Sequence, residues 1–89
     1  MIRRTVTIIN KLGLHARAAA RFVRLASQFS SDIKLARTAT EINGKSILGV
    51  MMLAAAKGTE LEIIVDGRDE AEAMAALVAL IDNRFDEGE

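Results

Sequence analysis

The chain has one histidine and no cysteine. Thiolate chemistry and a disulfide framework are therefore excluded, and His15 stands as the candidate nucleophile. It lies in the stretch Asn10-Lys11-Leu12-Gly13-Leu14-His15-Ala16-Arg17. Before it, Thr5-Val6-Thr7-Ile8-Ile9 is rich in β-branched residues; after it, Ala18 to Phe29 holds strong helix formers and neither glycine nor proline. This places His15 by the first turn of a helix, where several backbone N–H groups lack intrahelical partners and the helix dipole presents partial positive charge. Such a place favours an anion and disfavours a protonated imidazole, and a neutral imidazole is a usable nucleophile. A phosphoryl group taken up there would lie against free N–H groups, with Arg17 near enough in sequence to help. The plainer reading makes His15 a local cap or a solvated surface residue. Gly13, which lets the backbone turn tightly, and Arg17, Arg21 and Arg24, spaced to share one side of the helix, favour the phosphoryl acceptor.

The elements that must position this site fit within 89 residues, of which 51% are hydrophobic. That is one domain, 1–89, with one modest core. A single histidine and no cysteine leave a zinc site to be built almost wholly from carboxylates, so no metal and no cofactor are expected. No long apolar segment follows Met1-Ile2-Arg3-Arg4, so neither a signal peptide nor membrane insertion is expected, and the location reads as cytoplasmic. Net charge is zero, but Met1 to Lys45 carries nine Lys/Arg against two Asp/Glu, and Ser46 to Glu89 carries three against ten. A basic first half around His15 would attract an acidic or phosphorylated partner; the two halves would also attract each other within the fold.

In order, Ile2 to Ile9 reads as a strand with Val6 and Ile8 inward and Thr5 and Thr7 outward. Lys11 to Leu14 is a loop. A helix over Ala16 to Phe29 turns Ala19, Phe22, Val23, Ala26 and Phe29 to a sheet, with Arg17, Arg21 and Arg24 facing water. Ser30-Ser31-Asp32 breaks it. Ile33 to Arg37 and Thr40 to Asn43 are strands joined by a turn at Thr38-Ala39, and Asn43-Gly44 is expected to supply positive φ at the exit. Ser46 reads as the N-cap of a helix over Ile47 to Ala56 that is apolar nearly all round. Some of Ile47, Leu48, Met51 and Met52 should then form an exposed patch, the alternative being burial in the core. Glu60 to Val65 alternates as a fourth strand. Asp69 with Glu72 resembles a capping box for a last helix burying Ala71, Met74, Leu77, Val78, Ile81 and Phe85, after which Asp86-Glu87-Gly88-Glu89 is expected to fray. The order β-α-β-β-α-β-α implies an α+β fold, one four-stranded antiparallel sheet with three helices on one face.

With these residues placed, the chain resembles the HPr family, the histidine-containing phosphocarriers of the bacterial phosphoenolpyruvate-dependent phosphotransferase system. Gly13-Leu14-His15-Ala16-Arg17 is similar to the family's active-site motif, and Asn43-Gly44-Lys45-Ser46-Ile47-Leu48-Gly49-Val50-Met51 to its regulatory-serine segment. The resemblance covers essentially the whole chain and implies an open-faced β-sandwich. It also implies a relay in which phosphorylated enzyme I passes its phosphoryl group to Nδ1 of His15, which passes it to a IIA protein while Arg17 steadies it. Ser46 is by the same resemblance a target of HPr kinase/phosphorylase, and Ile47, Leu48 and Met51 dock partners, with Arg21 and Arg24 beside them. A monomer is expected. One departure is Ala18, where many relatives have proline. Without a ring to fix φ in advance the first turn is expected to be less rigid, and no chemical group is lost.

Within the family, a carrier in a nitrogen-type or purely regulatory relay is the alternative. Outside it, a small acylphosphatase-like enzyme would hydrolyse an acyl phosphate unaided. An RNA-binding sheet is disfavoured: there is no Trp or Tyr, and all three Phe fall on predicted helices, so no strand offers aromatic stacking and no nucleic-acid partner is expected.

Overall fold

β-Branched and aliphatic residues at alternate positions give strand β1 (Ile2–Thr7) its pairing with the later strand β4 (Glu60–Asp66), Val6 opposite Leu61 and Arg4 opposite Ile63. In the computed structural model, which describes residues 1–87, β4 also pairs with β2 (Asp32–Arg37), and β2 with β3 (Thr40–Asn43), all antiparallel. The sheet order is β1-β4-β2-β3. Ile33, Leu35, Leu61, Ile63 and Val65 lie on one face and are buried. The other face carries charged partners such as Arg3 with Glu62 at 3.1 Å and Lys34 with Glu41 at 3.4 Å. Ile64 is buried on that open face, where its register neighbours are Arg3 and Lys34.

Three helices cover the buried face: α1 (Ala16–Ala26), α2 (Ile47–Met52) and α3 (Glu70–Asp82). α1 buries Ala18, Ala19, Phe22, Val23 and Ala26, and its backbone packs beside α2 and α3. Burying a side chain the size of Phe22 contributes about 1.5–3 kcal/mol relative to leaving it in water. The α+β architecture and element order expected from the sequence are therefore observed, with differences at several ends.

α1 stops three residues before Phe29. Gln28 and Phe29 donate to Leu25 and Ala26, three residues back, and this tightened turn ends the helix with Phe29 half-buried. α2 ends at Met52 rather than Ala56. Ala54 takes the left-handed φ of 49°, and the Ala55 carbonyl accepts the Leu14 N–H at 2.8 Å, so these residues brace the His15 loop instead of extending the helix. Arg37 donates to the Leu53 and Ala54 carbonyls that α2 leaves open, at 2.7 and 3.2 Å.

The positive φ expected at Asn43-Gly44 is absent; the left-handed residue of the β2–β3 turn is Thr38, at 50°. Gly44 answers to space instead, since a Cβ there would lie 2.7 Å from Ile33 Cγ2. The capping box at Asp69 and Glu72 does not form. The Asp69 carboxylate accepts from the N–H groups of Ser30 and Ser31, each at 2.9 Å, and from the Ser31 hydroxyl, tying the α1–β2 turn to the start of α3. Those bonds, the Ser31 hydroxyl foremost, hold its carboxyl well below the ordinary value, at about 2.

α3 buries Ala73 with Met74, Leu77, Val78 and Ile81, and Ala71 is exposed. At 3.6 residues per turn Ala71 lies about 120° round the helix from Leu77, off the stripe. Phe85 is buried as expected, but not on the helix. Arg84, Phe85 and Asp86 all take left-handed φ, 53°, 54° and 64°, and reverse the chain back toward α1.

Candidate phosphoryl-acceptor site

The loop before α1 is held from three sides. Gly13 takes φ +67°, and its backbone lies so close to the segment after α2 that a Cβ would sit 2.5 Å from the Ala55 oxygen. Leu14 is buried as an anchor. Asn10, fully buried, donates through Nδ2 to the Gly13 carbonyl at 2.8 Å and to Glu87 Oε1 at 3.0 Å. Asn10 Oδ1 has no partner among the described residues. Its amide cannot be turned round, because that would aim an oxygen at two acceptors.

His15 is the N-cap of α1, in extended conformation with φ −74° and ψ 178°. Its carbonyl accepts the Ala19 N–H at 2.9 Å, and its ring Nδ1 accepts the Arg17 N–H at 3.3 Å. Nδ1 thus faces the first turn of α1, whose N–H groups have no carbonyl within the helix to bond. The other ring nitrogen, Nε2, lies 2.6 Å from Glu87 Oε2. The imidazole remains 29% exposed and the Glu87 side chain only 12%. Burial pushes the Glu87 carboxyl up, but the hydrogen bonds from His15 and Asn10 and the nearby Arg21 charge outweigh it and hold the group below its ordinary value.

Arg17 and Arg24 are exposed, as expected. Arg21 is not simply solvated: it is half-buried and donates to the Phe85 carbonyl, clamping the reversed C-terminal turn to α1. A shallow cavity of about 280 Å³ opens next to His15, lined by Lys11, Leu12, Arg17, Arg21, Asp86 and Glu87. His15 itself is not among the lining residues; the cavity is a ledge beside the ring that sets three cationic side chains against two carboxylates.

The second motif is at the N-terminus of α2, which packs against α1. Ser46 caps α2 as expected, its Oγ accepting the Gly49 N–H at 3.1 Å. Ile47, Leu48, Met51 and Met52 are all exposed, Leu48 at 75% and Met52 at 78%, while Val50 and Leu53 take the buried side. Leu12, 66% exposed on the His15 loop, is a further exposed apolar residue that sequence reasoning did not single out. No group of side chains able to hold a metal occurs among the described residues, and no helix there is long and apolar enough to cross a membrane.

The sequence reading also missed Glu87, expected to fray; it is instead bonded to His15 and Asn10, while Gly88 and Glu89 lie outside the described residues. The available signal was Phe85, an apolar anchor followed at once by two acids in a chain whose only histidine lies in its basic half.

Compared with known proteins, residues 2–83 match the family model for the PTS HPr component phosphorylation site. The chain is 56% identical over 89 residues, the full length of both, to the phosphocarrier protein HPr of Neisseria meningitidis, and equally to that of Cupriavidus necator. The chain belongs to the HPr family. Its fold superposes on the crystal structure of HPr-C-His from Thermoanaerobacter tengcongensis with a TM-score of 0.94, 46% identity and 98% of each chain covered. HPr proteins are phosphocarriers of the phosphotransferase system and not stand-alone catalysts, so the acylphosphatase-like reading is set aside.

Proposed function

We propose that the chain, as a single cytoplasmic carrier domain, accepts a phosphoryl group on Nδ1 of His15 from phosphorylated enzyme I and passes it to a IIA protein. The observation that carries this reading is the placement of Nδ1, which points its lone pair at the open N-terminus of α1 beside Arg17. As the N–P bond forms, the Arg17 N–H exchanges the ring nitrogen for a phosphoryl oxygen, and its guanidinium balances the new charge. Ile47, Leu48 and Met51 dock the partner, with Arg21 and Arg24 steering acidic surfaces toward the site. Ser46 serves as a regulatory site for HPr kinase/phosphorylase: a phosphate there adds charge beside an apolar docking patch and opposes partner binding without removing a core contact.

Reconstitution tests the relay. Phosphoenolpyruvate, enzyme I, this protein and a set of IIA proteins are combined, and label from phosphoenolpyruvate is followed. Label on at least one IIA protein only when this chain is present is the expected result. Label arriving without it, or stopping at enzyme I, would refute the carrier role.

A further inference from the structure

The Glu87 contact is more than a tether for the tail. The geometry points to Glu87 as the positioning residue for His15, holding the proton on Nε2 and facing the charge that the ring acquires when Nδ1 is phosphorylated. This rests on His15 being the acceptor. Glu87 Oε2 lies 2.6 Å from Nε2, its other oxygen is held by Asn10 Nδ2 at 3.0 Å, and Asn10 is fully buried and fixed at its other end on the Gly13 carbonyl. The carboxylate is therefore placed by a buried amide, with only 12% of its side chain exposed. Nδ1 already accepts the Arg17 N–H, so in the neutral ring the proton belongs to Nε2, where Glu87 receives it.

The step balances as follows. The Nδ1 lone pair forms the N–P bond and the donor's bond to phosphorus breaks, its electron pair leaving with the donor group. Nε2 keeps its proton, and the ring carries one positive charge that faces the Glu87 anion. On onward transfer the same electrons return to Nδ1 and the charge disappears. A carboxylate behind an imidazole acts in this way by fixing the ring's tautomer and orientation and stabilising the imidazolium form. The other charged groups around the site are Lys11 from the loop, Arg17 and Arg21 from α1 and Asp86 from the turn, all lining the ledge, whereas Glu87 is the one bonded to the ring.

The test compares Glu87→Ala and Glu87→Gln with the unaltered chain, first by proton NMR without any phosphoryl donor. The unaltered protein is expected to show a slowly exchanging, downfield His15 Nε2–H; Glu87→Ala should lose it, and Glu87→Gln, whose amide oxygen still accepts, should keep it shifted upfield. In kinetics with enzyme I, kcat for phosphorylation should fall roughly ten- to a hundredfold in Glu87→Ala and less in Glu87→Gln, with KM for the carrier unchanged, because Glu87 lies outside the apolar patch. Lack of the Nε2–H signal in the unaltered protein, an unchanged kcat in both variants, or a change in KM alone would overturn the assignment. The NMR arm needs no phosphorylation, so failure of the acceptor reading would show as a normal Nε2–H signal in a protein that never takes up phosphate.

Discussion

At the scale of single residues, the site depends on backbone approach as much as on reactive groups. Gly13 combines a left-handed φ with close approach to Ala55 and Ala56 after α2, and no side chain satisfies both. Gly13→Ala is expected to cost about 2–4 kcal/mol and to slow phosphoryl acceptance together, as measured by denaturant melts and enzyme I kinetics. A destabilised but fully active variant would separate the loop from the chemistry. Arg17 differs: it is exposed, so Arg17→Ala should leave the melting temperature nearly unchanged while lowering the rate of transfer by roughly tenfold, the effect of one charge-assisted contact made in the transition state. A shift in the melting temperature without a rate effect would make it a structural residue. His15, Arg17 and the turn-forming Gly13 were legible from residue type and spacing because each acts within a few positions of the others. Glu87 was not, because it reaches the ring from 72 positions away in sequence, and pairing at that distance is set by the fold.

Helices and turns carry the next scale. α2 is only six residues long, so its cap matters to the Asn43–Ser46 turn and to the orientation of the patch. Ser46→Ala should cost about 1 kcal/mol through loss of the cap. Ser46→Asp keeps a capping oxygen but adds charge beside Ile47 and Leu48, so it should melt like the unaltered chain while raising KM toward enzyme I several-fold. Equal KM values for the two variants would remove the regulatory reading. The Asp69 bridge gives a pH prediction. Its carboxyl titrates at about 2 when folded, below the ordinary 3.8, so the bridge stabilises the fold above about pH 4 and its contribution is lost as pH falls toward 2. Asp69→Asn should therefore lower the melting temperature at pH 7 and converge with the unaltered chain near pH 2; parallel curves throughout would show that the ionised bridge contributes nothing. Element types followed from periodicity and capping residues. Element ends did not: α1 closes in a tightened local turn through Gln28 and Phe29, and α2 stops where tertiary bonds, from Leu14 to Ala55 and from Arg37 to Leu53, use groups that another helical turn would need.

Over the whole molecule, the basic first half places Lys11, Arg17 and Arg21 beside His15, while from the second half Glu62 pairs with Arg3 across the sheet and Glu87 bonds the His15 ring. Attraction between the two halves is thus present within the fold, and the cations beside His15 are the groups that steering of an acidic partner would use. Steering predicts that the bimolecular rate with enzyme I falls several-fold as salt rises from roughly 0.05 to 0.5 M, with the rate of transfer within the complex unaffected; an association rate indifferent to salt would remove the steering role. The open face followed from alternation along the strands, but sheet order and the closeness of the two motifs became visible only in three dimensions, where β1 pairs with β4 across most of the chain and α1 packs on α2. The central claim remains that His15 carries the phosphoryl group. The most direct measurement is intact-mass spectrometry after incubation with phosphoenolpyruvate and enzyme I, on the unaltered chain and on His15→Ala, before and after brief acid treatment. One phosphoryl adduct per chain, removed by acid and absent from a His15→Ala protein that still melts cooperatively, is the predicted result. An adduct that survives acid, or one that forms equally on the variant, would contradict it.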